Sequence, residues 1–538
     1  MNPSLPSPRV AEPPIDGEAP KLAAVIDIGT TAIRMAIGEH RAGGSIRILE
    51  RLVQAVSLGK DTFRKGVIEK STIEECVRVL GSFRKKLDEY QIPPDAVRAV
   101  GTSAVREAMN RLAFLDRIYV ATGIEVDPLD EAEVSRITYH GVRPQILAEP
   151  ELQGAHTLVV EVGGGNTEVL LMQDGDIEAS HSYRMGSLRL QYSLETMQTP
   201  QHRVRDYLRS QIRRTIQLIR QEIPIQDPLR IVALGGDMRF AASALECTPH
   251  ASGLTPVPTR RLSTLANQIV SLSPEEVVHR YHISFQDTET LGPALLSYAT
   301  LAQAFELDHV LVTSVNLREG LLREVAGEDA WTEDFRRQVI NSAMELGRRY
   351  EIDFAHATHV ADLSSRLFRE LQPLHRLSSR YELILHLAAL LHEVGLYVSS
   401  RSYHKHTLYL LRSSELFGLS QQDMGLVGMV ARYHRRSSPM PSHDTYWNLP
   451  RERRTAVSKL AAMMRVALAL DESRSQRISA FSCERRGGRL ILATPDVEDL
   501  SLEQMAMKHN VSLFEEVFGM QVFLRRSVKS VIAPRGHE

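Results

Sequence analysis

Cysteine is scarce in this chain: three in 538 residues, Cys76, Cys247 and Cys483, far apart and without metal-ligand spacing. That rules out a disulfide framework and fits a reducing compartment. Net charge is equally slight, −2 at neutral pH. The basic sheath of a nucleic-acid binder is therefore missing, no sequence-specific nucleic-acid partner is expected, and any polyanion must be held by a local site. No apolar run reaches the roughly 18 residues that crossing a membrane requires. Nor is there a repeat of the length that builds solenoids. The opening stretch, MNPSLPSPRVAEPPIDGEAP, is rich in Pro and Ser and has no apolar signal-peptide core. Residues 1–20 are expected to form a disordered tail, and the protein to be cytoplasmic.

What is present is an ordinary globular composition, 43% hydrophobic and 24% charged. The length calls for roughly three or four domains. AAVIDIGTTAIRMAIGEH reads as a buried strand, a turn at Gly29-Thr30-Thr31 and a second strand. Residues 71–90 carry Ile73, Val77, Leu80 and Phe83 at helical spacing. AVRAVGTSAVREAMN is a strand, a Gly-Thr-Ser turn and a helix entered at Ser103. VVEVGGGNTEVLLM repeats the strand–glycine turn–strand pattern, and IVALGGD ends a further strand on glycines. This alternation argues for an α/β fold. Beyond about residue 330 long helical patterns take over and histidines become frequent. ISAFSCERRGGRLILATP then reads as a hairpin opening a small α/β module.

Backbone N–H groups converge on phosphate oxygens most readily where glycine lets the chain turn sharply. A nearby carboxylate can hold a hydrated cation or orient a water. Three places offer such a combination: Asp27 with Gly29-Thr30-Thr31, Glu161 with Gly163-Gly164-Gly165-Asn166-Thr167-Glu168, and Gly235-Gly236-Asp237. One glycine turn after a strand is structural more often than not. Two such hairpins, each with an acid in its first strand, describe two related lobes whose loops face one cleft.

In order, AAVIDIGTTAIRM, GTSAVREAMN, VVEVGGGNTEVLLM, RMGSLRL, ALGGDMR and NLREGLL resemble the markers of the exopolyphosphatase and guanosine pentaphosphate phosphohydrolase family. HEVG, YHKH and RYHRR continue the likeness. The resemblance implies a two-lobed actin/hexokinase-like (ASKHA) ATPase fold, then an all-α HD-like domain and a small C-terminal α/β module. The expected divisions are lobe I at 21–145, lobe II at 146–325, the HD-like domain at 330–475 and the end module at 476–538. It also implies a homodimer that releases the terminal phosphate of inorganic polyphosphate or pppGpp with Mg²⁺. Which of the two substrates is used stays open.

By position, the resemblance assigns phosphate binding to Gly29, Thr30, Thr31, Thr102, Ser103, Gly163, Gly164, Gly165, Asn166, Thr167, Gly235 and Gly236. Asp27 and Glu161 would hold metal. Arg106, which never deprotonates, would neutralise developing charge, and Glu168 would place a water. The family's catalytic base falls at Val134, and an aliphatic side chain accepts no proton. Glu133 is the adjacent carboxylate and the candidate base, although neighbouring helix residues point about 100° apart. Other departures are Glu161 for a usual Asp, Thr31 for Asn, Asp237 for Thr, and Ser314-Val315 for Asp-Gly.

His356, His392-Glu393, His406, His434 and Asp471 follow the order of an HD-type metal set. For these, Mg²⁺, Mn²⁺ or another divalent metal is the expected ligand; Tyr433, Arg435 and Arg436 beside them could line an anionic path. Two alternatives to cleft hydrolysis stand beside it: a noncatalytic sensor of polyphosphate or guanosine polyphosphates, and hydrolysis moved to the HD-like domain.

Overall fold

β1 (Lys21–Ile28) buries its last six residues in succession, the signature of a strand covered on both faces. A computed structural model of the chain describes residues 21–40, 46–197, 201–325, 332–435, 437–495, 497 and 499–526. The expected N-terminal tail and Arg436 lie outside these residues.

β1 is the centre of a five-stranded sheet with β2 (Ala32–His40), β3 (Ile46–Ala55), β4 (Val97–Gly101) and β5 (Val126–Pro128), in the order β3-β2-β1-β4-β5. β1, β2 and β3 pair antiparallel, whereas β4 and β5 join parallel. The helix Lys70–Glu89 lays Cys76, Leu80, Phe83 and Leu87 into the core formed with Ile26, Ile28, Ile33 and Met35. Burial pushes the Cys76 thiol up to about 12, so this cysteine is an inert core residue.

The second sheet contains β6 (His156–Val162), β7 (Thr167–Gln173), β8 (Asp176–Tyr183), β9 (Leu229–Ala233), β10 (Thr255–Pro258) and β11 (His309–Val312). Its order is β10-β11-β9-β6-β7-β8. Read from β8, the run β8-β7-β6-β9-β11 repeats the plan of the first sheet, with β10 added antiparallel at the edge. The two lobes are thus duplicates in topology, as an actin-like fold requires. The duplication makes the β1–β2 and β6–β7 turns equivalent, and likewise the ends of β4 and β9. All four lie at the carboxyl ends of central strands, where open α/β sheets bind their ligands.

The described residues cluster into two compact units, within Met1–Asp130, Ile137–Val169 and Ser182–Ala330, and within Glu131–Arg136, Leu170–His181 and Trp331–Glu538. The second is dominated by helices, among them Glu333–Arg349, Phe354–Glu370, Arg380–Leu390, Tyr403–Arg412, Gln421–Arg432 and Arg451–Leu470. Asp353 caps one of them by accepting the His356 amide, which fixes that histidine in the first turn. Downstream, β12 (Ser482–Arg486), β13 (Arg489–Thr494) and β14 (Gln521–Arg526) form a small sheet. β12 and β13 make the expected hairpin, and β14 returns parallel to β13. Among the described residues no helix is long and apolar enough to cross a membrane.

Candidate active site

The glycine loops of the two lobes meet. A Cβ on Gly164 would fall inside the contact distance of Thr30 Oγ1. One on Gly165 would sit 2.6 Å from the Phe63 ring and 2.8 Å from Ser103 Oγ. Glycine is required here for close approach, and the approach is between Gly163–Asn166 and the loop–helix elements of lobe I. The carbonyls of the second loop turn toward the helix Ser187–Thr196: Ser187 N–H donates to Gly163 O (2.9 Å) and Leu188 N–H to Gly164 O (3.0 Å). Arg189 Nε donates to Gly165 O at 2.6 Å. No backbone carbonyl among the described residues takes the Gly164 or Gly165 N–H.

Arg189 also pairs with Glu107 of lobe I, and its guanidinium lies 4.2 Å from the centre of the Phe63 ring. It therefore ties the second loop to the helix Ser103–Glu107. Thr102 closes the neighbouring turn by donating to Ile28 O. Arg106 stands on the same helix and is anchored by Leu129 O at 3.0 Å.

Beside the first loop, Asp27 is buried; its Oδ2 accepts from Arg318 Nη1 at 3.1 Å, while Oδ1 has no hydrogen-bond partner among the described residues. Burial raises the Glu161 carboxyl above its ordinary range; Arg239 and Arg318 oppose the rise, and Asp27 adds to it. Asp237 is pushed up to about 7, first by burial and then by Asp287, against the pull of Arg239 and Arg34. Gly235 has φ +101°, a left-handed backbone that turns β9 sharply into the helix Gly236–Ala244. Tyr298 braces that corner: its hydroxyl accepts from Val162 N–H and donates to Leu234 O, both at 2.7 Å.

On β7, Thr167 donates to Met185 O. Ser182 accepts from Asn166 Nδ2 (3.2 Å) and donates to Glu168 Oε1 (2.9 Å). Glu168 is thereby coupled to the second loop through one hydroxyl. Glu133 and Val134 lie in the first turn of the helix Glu131–Ala148.

Residues 36–328, more than half the chain, match the profile of the Ppx/GppA phosphatase family, and residues 337–511 match Ppx/GppA phosphatase, domain III. The chain belongs to the Ppx/GppA phosphatase family. It is similar to the guanosine-5′-triphosphate,3′-diphosphate pyrophosphatase of Vibrio atlanticus, 23% identical over 83% of this chain and 87% of that one. The protein of the same name from Vibrio vulnificus is 24% identical, over 89% and 92%. Among solved structures, an exopolyphosphatase from Cytophaga hutchinsonii aligns with 58% of this chain and 100% of its own, at TM-score 0.49 and 20% identity. The Aquifex aeolicus member of the Ppx/GppA family covers 57% and 97%, at TM-score 0.45 and 22% identity.

Within this Ppx/GppA chain, sequence reasoning misses three arginines of the cleft. Arg189, Arg239 and Arg318 sit in the quoted markers RMGSLRL, ALGGDMR and NLREGLL. The available signal was a permanent cation one to four residues from a glycine turn or from the Asn-Leu pair. Val315, the departure from Asp-Gly, fills a notch: a Cβ on Gly141 would collide with its Cγ1.

The domain III histidines are only partly brought together. His356, His392 and Glu393 are buried, with one ligand atom each, all within 4.8 Å of one another. His356 Nδ1 lies 2.8 Å from Asp471 Oδ2, and His392 Nδ1 lies 2.7 Å from Ala389 O. His434 joins them edge-on, 5.2 Å from the His392 ring centre, but its Nε2 is 2.9 Å from the Tyr403 hydroxyl. His406 is not in the cluster. Burial holds the His392 imidazole down at about 4 and His434 well below its ordinary value, so both are neutral near pH 7. Burial raises the Glu393 carboxyl, yet its pair with Arg474 outweighs that and keeps it below the usual range.

Proposed function

We propose that this chain removes the terminal phosphate of a guanosine pentaphosphate or of inorganic polyphosphate, in the cleft where Gly29–Thr31 meets Gly163–Asn166. The observation that carries this reading is the contact of Gly164 with Thr30 and of Gly165 with Ser103. It brings two equivalent strand-turn loops together, with amides and hydroxyls suited to phosphate oxygens. The nearly full-length likeness to the two Vibrio pyrophosphatases supports the same chemistry.

Asp27 and Glu161 fit a divalent cation, since one Asp27 oxygen is buried without a hydrogen-bond partner and Glu161 is a half-buried carboxylate near enough for the Asp27 charge to act on it. Bound there, Mg²⁺ would offset the negative charge of the phosphates. The chain's own groups do the rest. The Gly164 and Gly165 amides and the Thr30 and Ser103 hydroxyls hold the terminal phosphate, and Arg106 supplies a fixed positive charge beside it. Glu168, held by Ser182, orients a water. The water oxygen bonds to the terminal phosphorus, and the bridging P–O bond breaks. The shortened chain leaves with that electron pair, and the water proton passes to a carboxylate.

Val134 at the family's base position favours one further reading, a protein that binds these polyphosphates and turns them over slowly or not at all. Phosphate release with Mg²⁺ separates the two, measured on wild type and Val134→Glu. On the hydrolase reading, Val134→Glu raises kcat by about 100-fold with KM little changed. Tight binding with no release by either protein would favour the sensor.

A further inference from the structure

Glu393 has two claims upon it. It belongs to the buried three-residue set with His356 and His392. It is also held by Arg474, through Nη2 to Oε1 and through Nη1 at 3.3 Å to Oε2. Arg474 Nη1 contacts Asp353 as well, at 3.3 Å, and about half of the arginine side chain is exposed.

Both imidazoles have their Nδ1 committed. Asp471 holds that of His356 and is itself fixed by the Gln476 amide (2.9 Å) and side chain (3.2 Å). The Ala389 carbonyl accepts that of His392. Each ring therefore keeps Nε2 as its remaining donor; for His392, Nε2 lies 3.9 Å from Glu393 Oε1. A carboxylate or carbonyl behind Nδ1 is the arrangement that sets the tautomer and direction of a ligating histidine. Two imidazole nitrogens and one carboxylate oxygen suit a divalent transition metal such as Zn²⁺ or Mn²⁺.

Taking His356, His392 and Glu393 as the expected divalent-metal site, we propose that Arg474 is the internal cation which a metal bound there displaces from Glu393. The guanidinium neutralises the buried carboxylate while the metal is away. Its exposure and its second partner, Asp353, let it swing aside without losing an ion pair. Metal affinity is thereby weakened by competition, and removing Arg474 strengthens it. Asp471 acts through His356 as a positioning residue.

The test uses the full chain, freed of metal with a chelator and dialysed against Zn²⁺ or Mn²⁺ without any phosphate ligand. Ion content is read together with the thermal melt, and no activity assay enters. Wild type should retain one ion that Asp27→Asn also retains, which assigns it outside the lobe cleft. Arg474→Gln should bind it about 10-fold more tightly, and Glu393→Gln about 10- to 100-fold more weakly. No retained ion in folded wild type, or retention undiminished in folded Glu393→Gln, overturns the site. Equal affinity in wild type and Arg474→Gln overturns the competition.

Discussion

At the lobe cleft, charge is carboxylate set against arginine: buried Asp27 on Arg318, and half-buried Glu161 within the field of Arg239 and Arg318. In the helical unit it is imidazole set against carboxylate, with His356 on Asp471 and His392 beside Glu393. Burial acts on both, and it drives each toward its uncharged form. The Glu161 and Asp237 carboxyls are pushed up in the cleft, and the His392 and His434 imidazoles are pushed down in the helical unit. The cleft sets carboxylates beside permanent cations. The helical cluster keeps the His392 and His434 imidazoles neutral. One physical cause yields two chemically different sites.

The largest effect that would break this contrast is loss of the Asp27 partner. Arg318→Gln leaves a buried carboxylate without its cation and should cost the two-lobed unit about 2–3 kcal/mol. Urea unfolding followed by circular dichroism measures it, and Asp27→Asn in the same chain should recover part of the loss.

Next comes pH. An unfolded His392 takes up a proton near its ordinary 6.5, whereas the folded one does so at about 4. Between those values the unfolded state binds more protons, so stability falls as pH falls from 6.5 to 4. Asp237 has the opposite sign. Its folded value of about 7 lies above its ordinary 3.8, so its contribution is full below 3.8 and lost as pH rises through 7. Both tryptophans, Trp331 and Trp447, lie beyond lobe II in sequence. The fluorescence of Trp447, on the helix Asp444–Trp447, should report a helical unit that unfolds at lower urea at pH 5 than at pH 7.5.

The smallest effect concerns the cleft anion. Asp237→Thr removes a charge that develops near pH 7 beside the second-lobe glycines. It should lower KM for a polyphosphate substrate by roughly 3-fold at pH 8, and by less at pH 6.

The glycine turns could be read from sequence because close approach and a left-handed backbone both demand glycine, and glycine is visible. The strands β1 and β6 were equally plain, as unbroken apolar runs. The paired hairpins marked two related lobes, but the full strand order did not show, because equal strand order leaves no repeated residues. Arg318 could not be paired with Asp27 by pattern either. They are 291 positions apart, and long-range ion pairs leave no periodic trace. The same holds for Arg474 on Glu393 and Tyr403 on His434, which no motif spacing announces. His406, counted by motif order, stays out of the three-residue cluster, because order along the chain does not set which helix face a residue takes.

Phosphate is held where the two glycine loops meet on the proposed reading, and Gly164→Ala tests that contact most directly. A methyl group at that position would meet Thr30 and force the loops apart. Release of phosphate from guanosine pentaphosphate or polyphosphate should fall by about 100-fold or more, while circular dichroism and the tryptophan-reported unfolding stay as in wild type. Wild-type release by a folded Gly164→Ala protein would contradict the account.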